Sequence, residues 1–589
     1  MISAPESRHE LTTEIPRHLE PYIAEQYYDM YSAIDHAAWR YIMRIASTYY
    51  RDIAHDKYVG GLSATGISLD RIPKVEEMDE KLRRVGWRAV PVVGFIPPSA
   101  FLEFQGYGLL PIACDMRRLE NISYTPAPDI VHEAAGHAPI LADQAYADFV
   151  RSYGKVARLG IFSKENMNTY YAIRKLSDLK ENSKTTPEEI QQAELELKQR
   201  LSEVHYDSEV DWVTRLGWWT TEFGLVGDLD NPRLYGAGLL SSIGEGMHAL
   251  SDDVVKIPLT IDCIHYDFDI TNMQPNLFVT PNFEYLSDVL EELADRMSFR
   301  RGGIDGLHKA KKGETLCTVQ FDTGVQVAGV VSEFNFDESA RPCFVKFEGP
   351  SQIAFEEAQL EGHGPTYHNH GYSSPVGPLS SGVSLAELSE ADLRSRFGFS
   401  NGQRGRLEYE SGFVVEGILE RVTQAGGKTA VLLFSDCTVR RGSKTYYQPD
   451  WGPFDLIAGG AVTSVYGGAA DRWNYLLETK GKDFKDTASQ TSNLTDDNRD
   501  LETLYRRVRE IRDAGSAAEN RAVLDEIFAT LEARFRDDWL LRWELLELVQ
   551  QAGLDVGWAD QARQRVAEIG ETHEIDGPNI KRGLQILTG

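Results

Sequence analysis

The sequence predicts an α+β multidomain protein: a mainly helical first half, then a β-rich module, then a helical C-terminal segment. Three observations predict it. Apolar residues recur at helical spacing from Tyr28 to Tyr50, after His137 through Tyr153, and from Val210 through Gly224. From Glu314 to about Tyr466 the chain alternates and is rich in Val, Thr and Phe, with glycine-containing turns, as in Thr315-Leu-Cys-Thr-Val-Gln-Phe321 and Ala430-Val-Leu-Leu-Phe434. Helical periodicity then returns, with Val523, Ile527, Leu531, Phe535, Trp539 and Trp543 spaced by four.

Taken in order, residues 1–25 are polar and proline-containing, a loose lead-in. The first domain spans 26–303. Its opening helix has Ser32 or Asp35 as N-cap. Asp70 to Val85 is a second helical segment, interrupted early by Pro73, and the prolines of Trp87-Arg-Ala-Val-Pro-Val-Val-Gly-Phe-Ile-Pro-Pro98 force strand or extended loop. Gly154 is the expected stop of the helix after His137. Residues 162–208 are Lys- and Glu-rich with few large apolar residues, a solvated helical insertion without chemistry. The β-rich module covers 304–480, a polar linker 481–497, and the helical module 498–589, whose apolar stripe is read as a core face before a partner surface. No internal repeat stands out.

Composition bounds the function. A hydrophobic content of 42% and an aromatic content of 10% support real cores, and the net charge of -29 argues against nucleic acid and anionic membrane surfaces. The five cysteines are scattered without a C-x-x-C pair, the first residues lack an apolar leader core, and no run of about 18 apolar residues occurs. A cytoplasmic protein is expected.

The stretch Thr125-Pro-Ala-Pro-Asp-Ile-Val-His-Glu-Ala-Ala-Gly-His137 places His132 and His137 five residues apart beside Asp129 and Glu133. On an unbroken helix, residues at i and i+4 lie about 40° apart, but those at i and i+5 roughly 140°. The zinc-protease pattern H-E-x-x-H is therefore disfavoured, and Gly136 is read as the place where a helix ends or distorts, with His132 on its last turn and His137 on the turn that follows. Two readings stand: paired metal ligands, or polar residues at a helix end. A metal needs a third ligand, and Glu222, among Trp218, Trp219, Phe223 and Leu225, is too apolar in setting for a solvent face. It is either that ligand or a buried carboxylate paired with an arginine such as Arg215. Two histidines and one carboxylate make the facial triad of non-haem Fe(II) oxygenases. Gly236-Ala-Gly238 is not a dinucleotide loop, since no strand precedes it; it reads as a tight turn with close backbone approach. The histidines of Glu361-Gly-His-Gly-Pro-Thr-Tyr-His-Asn-His370 belong to a polar loop or to a second metal site.

The Thr125–His137 stretch, Trp218-Trp-Thr-Thr-Glu-Phe-Gly-Leu225 and Tyr235-Gly-Ala-Gly-Leu-Leu-Ser-Ser242 together resemble the tetrahydropterin-dependent aromatic amino acid hydroxylases, the bacterial phenylalanine 4-monooxygenases in particular. Asp35-His-Ala-Ala-Trp-Arg40 and Arg71-Ile-Pro-Lys-Val-Glu-Glu77 also resemble the bacterial members, and the similarity covers roughly residues 25–300. The resemblance implies Fe(II) on His132, His137 and Glu222, with Asp129 orienting a histidine. It implies Arg117 on the carboxylate of a small amino acid, Thr125, Ser241 and Gly238 around that amino acid, and Pro128 and Trp218 walling its ring. Gly94, Phe95, Ile96, Phe101 and Glu133 would contact a tetrahydropterin, either tetrahydrobiopterin or tetrahydromonapterin, with dioxygen as co-substrate. The implied reaction is ring hydroxylation, L-phenylalanine to L-tyrosine first, tryptophan or another amino acid as the alternative, and metal-dependent hydrolysis behind both. Departures from the family pattern are the 85 residues between His137 and Glu222, Gly217 where an aromatic is common, and the absence of room before residue 25 for the regulatory domain of the animal enzymes. The C-terminal half has no counterpart in the compact bacterial members and is expected to be regulatory, substrate-delivering, or oligomerising through its helices.

Overall fold

The computed structural model describes residues 15–94, 96–123, 128–181, 185–270, 272–400, 402–490, 492–495, 498–573 and 575–587. The first domain is built around the helix Ala33–Ile53. Both cap candidates are used at once: the Ser32 side chain accepts from Asp35 N, and the Asp35 carboxylate accepts from Ser32 N, closing a capping box. Against this helix pack Lys57–Ala64, Ile243–His248 and the C-terminal helices Arg499–Asp513, Leu540–Gln551 and Gly577–Ile586. Two small sheets flank them. One is a parallel pair, Arg88–Val92 with Leu109–Ala113. The other runs in the order Asn231–Leu234, Leu225–Asp228, Asn276–Thr280, Val255–Pro258.

Gly154 does not stop its helix, which runs Gln144–Ala157. A Cβ at this position would lie 2.4 Å from Gly106 N and from Leu102 O, so the glycine serves close packing of two helices. The charged insertion is a helical pair, Lys164–Glu181 and Pro187–Ser202, joined by Lys175–Glu196 at 2.8 Å and Lys180–Glu194 at 3.0 Å.

The β-rich module holds two antiparallel sheets, and they reveal a repeat that sequence inspection missed. In the first sheet Leu316–Phe321, Val325–Phe336 and Pro342–Phe355 form a meander; in the second, Arg404–Glu408, Phe413–Ala425 and Lys428–Arg441 form another. Phe321-Asp-Thr-Gly-Val-Gln-Val-Ala-Gly-Val330 matches Tyr409-Glu-Ser-Gly-Phe-Val-Val-Glu-Gly-Ile418 in turn, apolar and glycine character at eight of ten positions, with Gln326 and Ala328 standing against Val414 and Glu416. The turn glycines Gly324 and Gly412 take φ of +89° and +81°. The register slips beside Gly329 in one copy and beside Gly417 in the other. Few identities survive, which is why the duplication is visible in the bulges before it is visible in the letters.

Residues 15–25 and the segment after Gly481 are held by specific contacts. Leu19 is buried, and His18, Arg158 and Arg472 converge on the buried Glu103. The polar segment 481–495 lies along the first domain: Asp486 N donates to Pro21 O, Tyr27 N to Gln490 Oε1, and Asn493 Nδ2 to Asp35 Oδ1 and Met116 O. Glu502 then accepts from Ala33 N and Ile34 N at 2.9 and 3.1 Å, satisfying two free donors of the central helix. The C-terminal stripe is split between Arg521–Arg534 and Leu540–Gln551, and it is spent within the chain. Trp539 and Trp543 each meet Tyr41 edge-on at 4.8 Å. No described helix is long and apolar enough to cross a membrane, and all five cysteines are free and buried.

Candidate active site

Two π-helical segments face each other at the centre of the first domain, Val131–His137 and Trp218–Glu222. This corrects the expectation of a helix end between the two histidines. In a π-helix the hydrogen bond spans five residues, so residues five apart stack on one face as residues four apart do in an α-helix. His132 and His137 therefore converge, their Nε2 atoms 3.2 Å apart. The second segment continues the helix Glu209–Gly217, and its wider turn is closed by Phe223 N donating to Trp218 O. It delivers Glu222 with one carboxylate oxygen 3.3 Å from His132 Nε2 and the other 3.3 Å from His137 Nε2.

Two imidazole nitrogens 3.2 Å apart, each 3.3 Å from a different oxygen of one carboxylate, bring one donor atom per residue within 4.8 Å of the others, a set that can hold one ion. Ligands about 2.1 Å from a metal are separated by about 3.0 Å at right angles and about 3.4 Å at tetrahedral angles. Burial alone would push the Glu222 carboxyl up, but His137 and His132 outweigh it and hold it well below the usual carboxylate range, so it is ionised as a ligand must be. Arg215 does not pair with it; that guanidinium binds Asp207 and Asp267.

Residues 24–177 and 198–301 match the model of the family described as biopterin-dependent aromatic amino acid hydroxylase. Over these residues the chain is similar to the biopterin-dependent aromatic amino acid hydroxylases. Phenylalanine-4-hydroxylase of Ralstonia nicotianae is 29% identical over 277 residues, 45% of this chain and 71% of its own. That of Mesorhizobium japonicum is 28% identical over 270 residues, 45% of this chain and 82% of its own. A crystal structure of the Chromobacterium violaceum phenylalanine hydroxylase with iron and phenylalanine aligns with a TM-score of 0.36 at 25% identity, covering 47% of this chain and 87% of that one.

The surroundings of the hydroxylase triad follow from close backbone approaches. A Cβ on Gly136 would stand 2.7 Å from Ala237 O, and one on Gly236 would stand 2.3 Å from Glu222 O. A Cβ on Gly238 would meet the Phe223 ring at 2.8 Å. The Gly-Ala-Gly turn is thus the wedge that lets both ligand segments touch, and Gly136 serves packing and not helix termination.

Among the described residues, Asp129 accepts no hydrogen bond from an imidazole ring. Its carboxylate accepts from His132 backbone N at 3.0 Å and grips Arg117 through Nε and Nη2, both at 2.8 Å. Three residues before His132 it stands where backbone N–H groups are free, so it fixes the start of the π-helix and the guanidinium together. The residue that does meet the histidine ring is Ser241, whose Oγ lies 3.0 Å from His132 Nδ1 and fixes Nε2 toward the ion. Ser241 O also accepts from Arg117 Nη1 at 3.1 Å, so one residue braces both the ligand and the arginine. The sequence offered Ser241 only as a substrate contact; the pairing with His132 crosses 109 positions and has no local signal.

Glu133 is buried with Oε2 lacking a hydrogen-bond partner among the described residues, 4.0 Å from His137 Nε2. Burial, aided by the charges of Glu222 and Asp129 and opposed by His137, pushes its carboxyl up to about 8. Phe101 is half-buried, its ring 6.2 Å from that of His137. Gly94, at φ +70°, donates from N to Asp115 Oδ2 at 3.2 Å, and Ile96 is buried nearby in sequence. Of these groups, Glu133 and Phe101 are the ones that approach the triad, through His137. Trp218 stacks between Phe223 and Phe268, at 4.5 and 4.2 Å between ring centres. Pro128 is exposed just before Asp129. Phe95 and Thr125 lie outside the described residues. At Gly217 an aromatic has no room, because a Cβ there would be 2.2 Å from the Tyr153 hydroxyl, which fills that wall instead.

Proposed function

We propose that this protein is a pterin-dependent non-haem iron monooxygenase that hydroxylates the ring of L-phenylalanine to give L-tyrosine. The observation that carries the proposal is the convergence of His132, His137 and Glu222 within the domain that matches the hydroxylase family. The named relatives, phenylalanine-4-hydroxylases, support phenylalanine as the substrate.

Iron held by these three residues, with a tetrahydropterin beside it, supplies the activation of dioxygen when both are bound. The chain's own residues do the rest. Asp129 and Ser241 O occupy one side of the Arg117 guanidinium and fix its plane, which presents its further N–H groups to a substrate carboxylate. Ser241 Oγ, donating to Gly238 O at 3.4 Å, accepts from His132 Nδ1–H, which leaves Nε2 as the ligating atom. Trp218, pinned by Phe268 and Phe223, offers a rigid aromatic wall to the ring. Glu133 and Phe101 form the pterin side, and burial there excludes water from the reacting atoms. The buried free cysteines agree with a reducing cytoplasm.

The test is turnover of the full chain loaded anaerobically with Fe(II), then given a tetrahydropterin, dioxygen and a panel of amino acids, with product identified by mass. Tyrosine from phenylalanine is expected. Hydroxylation of tryptophan alone would move the substrate assignment, and no hydroxylated product from any aromatic amino acid would overturn the function.

A further inference from the structure

The β-rich module contains a second cluster with ligand geometry, and the hydroxylase reaction leaves it unused. His363, His368 and Asp455 place one donor atom each within 4.8 Å of one another. All three are buried, at 1%, 7% and 5% exposure. The two histidines lie in the loop between Ala358–Gln359 and Gly371–Pro375, strands of the first sheet. Asp455 lies on Phe454–Ile457, which pairs with Lys428–Arg441 of the second sheet. The cluster therefore sits at the seam of the duplicated module.

The backbone around it is firmly held. Ser351 N donates to His368 O, Ile353 N to His363 O, and the Tyr372 hydroxyl to Asp455 O. The side chains are not satisfied to the same degree. His363 Nδ1 and His368 Nε2 are 3.3 Å apart, room for a single shared proton, while His363 Nε2 and Asp455 Oδ1 have no hydrogen-bond partner among the described residues. A polar loop explains a pair of stacked imidazoles; it does not explain a buried carboxylate beside them with an oxygen that has no donor among the described residues. The Tyr367 hydroxyl bonds the Asp455 side chain, the kind of outer contact that orients a ligating carboxylate.

We propose that His363, His368 and Asp455 form a second divalent-metal site that ties the two sheets of the β-rich module together. Two imidazoles and one carboxylate are the donors of a Zn(II)-class ion, with a fourth position for water. The site is separate from the iron triad in sequence and in sheet, so its role is structural, holding the seam between the two repeats.

The test uses the full chain stripped of metal, re-equilibrated with Zn(II) and desalted, with zinc and protein quantified. Wild type is expected to hold two equivalents, the His132→Ala/His137→Ala protein one, His363→Ala/His368→Ala one, and the four-fold variant none. Asp455→Asn, which keeps the volume and the fold, is expected to weaken zinc at the retained site of the His132→Ala/His137→Ala background by about tenfold or more. In that same background Co(II) should give visible ligand-field absorption that Asp455→Asn diminishes. Retention of no zinc and no Co(II) absorption by the folded His132→Ala/His137→Ala protein would overturn the proposal, whatever the fate of the hydroxylase reaction.

Discussion

Glu544→Ala tests how firmly the C-terminal helices are built into the hydroxylase domain. Arg40, in the middle of the central helix, gives Nε to one Glu544 oxygen at 2.7 Å and Nη2 to the other at 2.6 Å, with Nη1 on Asp70 O at 2.7 Å. Both side chains are about 2% exposed. Arg512 approaches the same carboxylate at 3.2 Å but also holds Glu547 at 2.7 Å, so it keeps a partner when Glu544 is lost. Arg40 keeps only the Asp70 carbonyl, and a buried guanidinium stripped of its carboxylate costs about 3–5 kcal/mol. At roughly 2–4 °C per kcal/mol for a large domain, Tm should fall on the order of 10 °C, with earlier proteolysis near residues 481–497. Replacing both partners, Arg40→Met with Glu544→Leu, should recover most of the loss, because no charge is then left unpaired. Burial raises the Glu544 carboxyl but Arg40 and Arg512 bring it below its ordinary value of 4.5. A depressed acid stabilises the fold above its unfolded pKa, so the gap between wild type and variant should narrow as pH falls below about 4.5. A Tm within about 1 °C of wild type at neutral pH would refute the reasoning.

Two further outcomes are expected. Ser241→Ala removes the only side-chain partner that the described residues offer to His132 Nδ1, so iron affinity should fall by about 10–100-fold while the Arg117–Asp129 pair persists, read by iron titration. Glu245 is buried and burial pushes it up to about 7, so folding takes up a proton between its unfolded value of 4.5 and about 7. Stability is lost as pH rises through that window, and Glu245→Gln, which still accepts from Gln274 N, should be more stable than wild type at pH about 8 by at most about 3 kcal/mol, and equal near pH about 4.

What was legible in the sequence was chemistry that is local or that violates a pattern. Two histidines five apart demanded an explanation, and an acidic residue amid tryptophans supplied the third ligand. The π-helices were not legible, because a wider turn has no residue preference of its own and is imposed by what packs on it, here Ala237 against Gly136. The same holds for Gly154 and Gly217, whose lack of a side chain is set by Gly106 and by Tyr153 from other elements. The segment 481–495 looked like a linker because its polar residues suit solvent as well as they suit the backbone donors and acceptors of the first domain. The duplication in the β-rich module hid behind conservative replacements, and only the shared bulges and turn glycines expose it.

The central claim is that His132, His137 and Glu222 hold an iron that directs oxygen onto an aromatic ring. Its most direct test is the fate of isotopically heavy dioxygen in a reaction of the Fe(II)-loaded full chain with a tetrahydropterin and phenylalanine. The account predicts tyrosine carrying one heavy oxygen atom per molecule, and none from Glu222→Ala. Tyrosine labelled from water instead, or full turnover by Glu222→Ala, would contradict it.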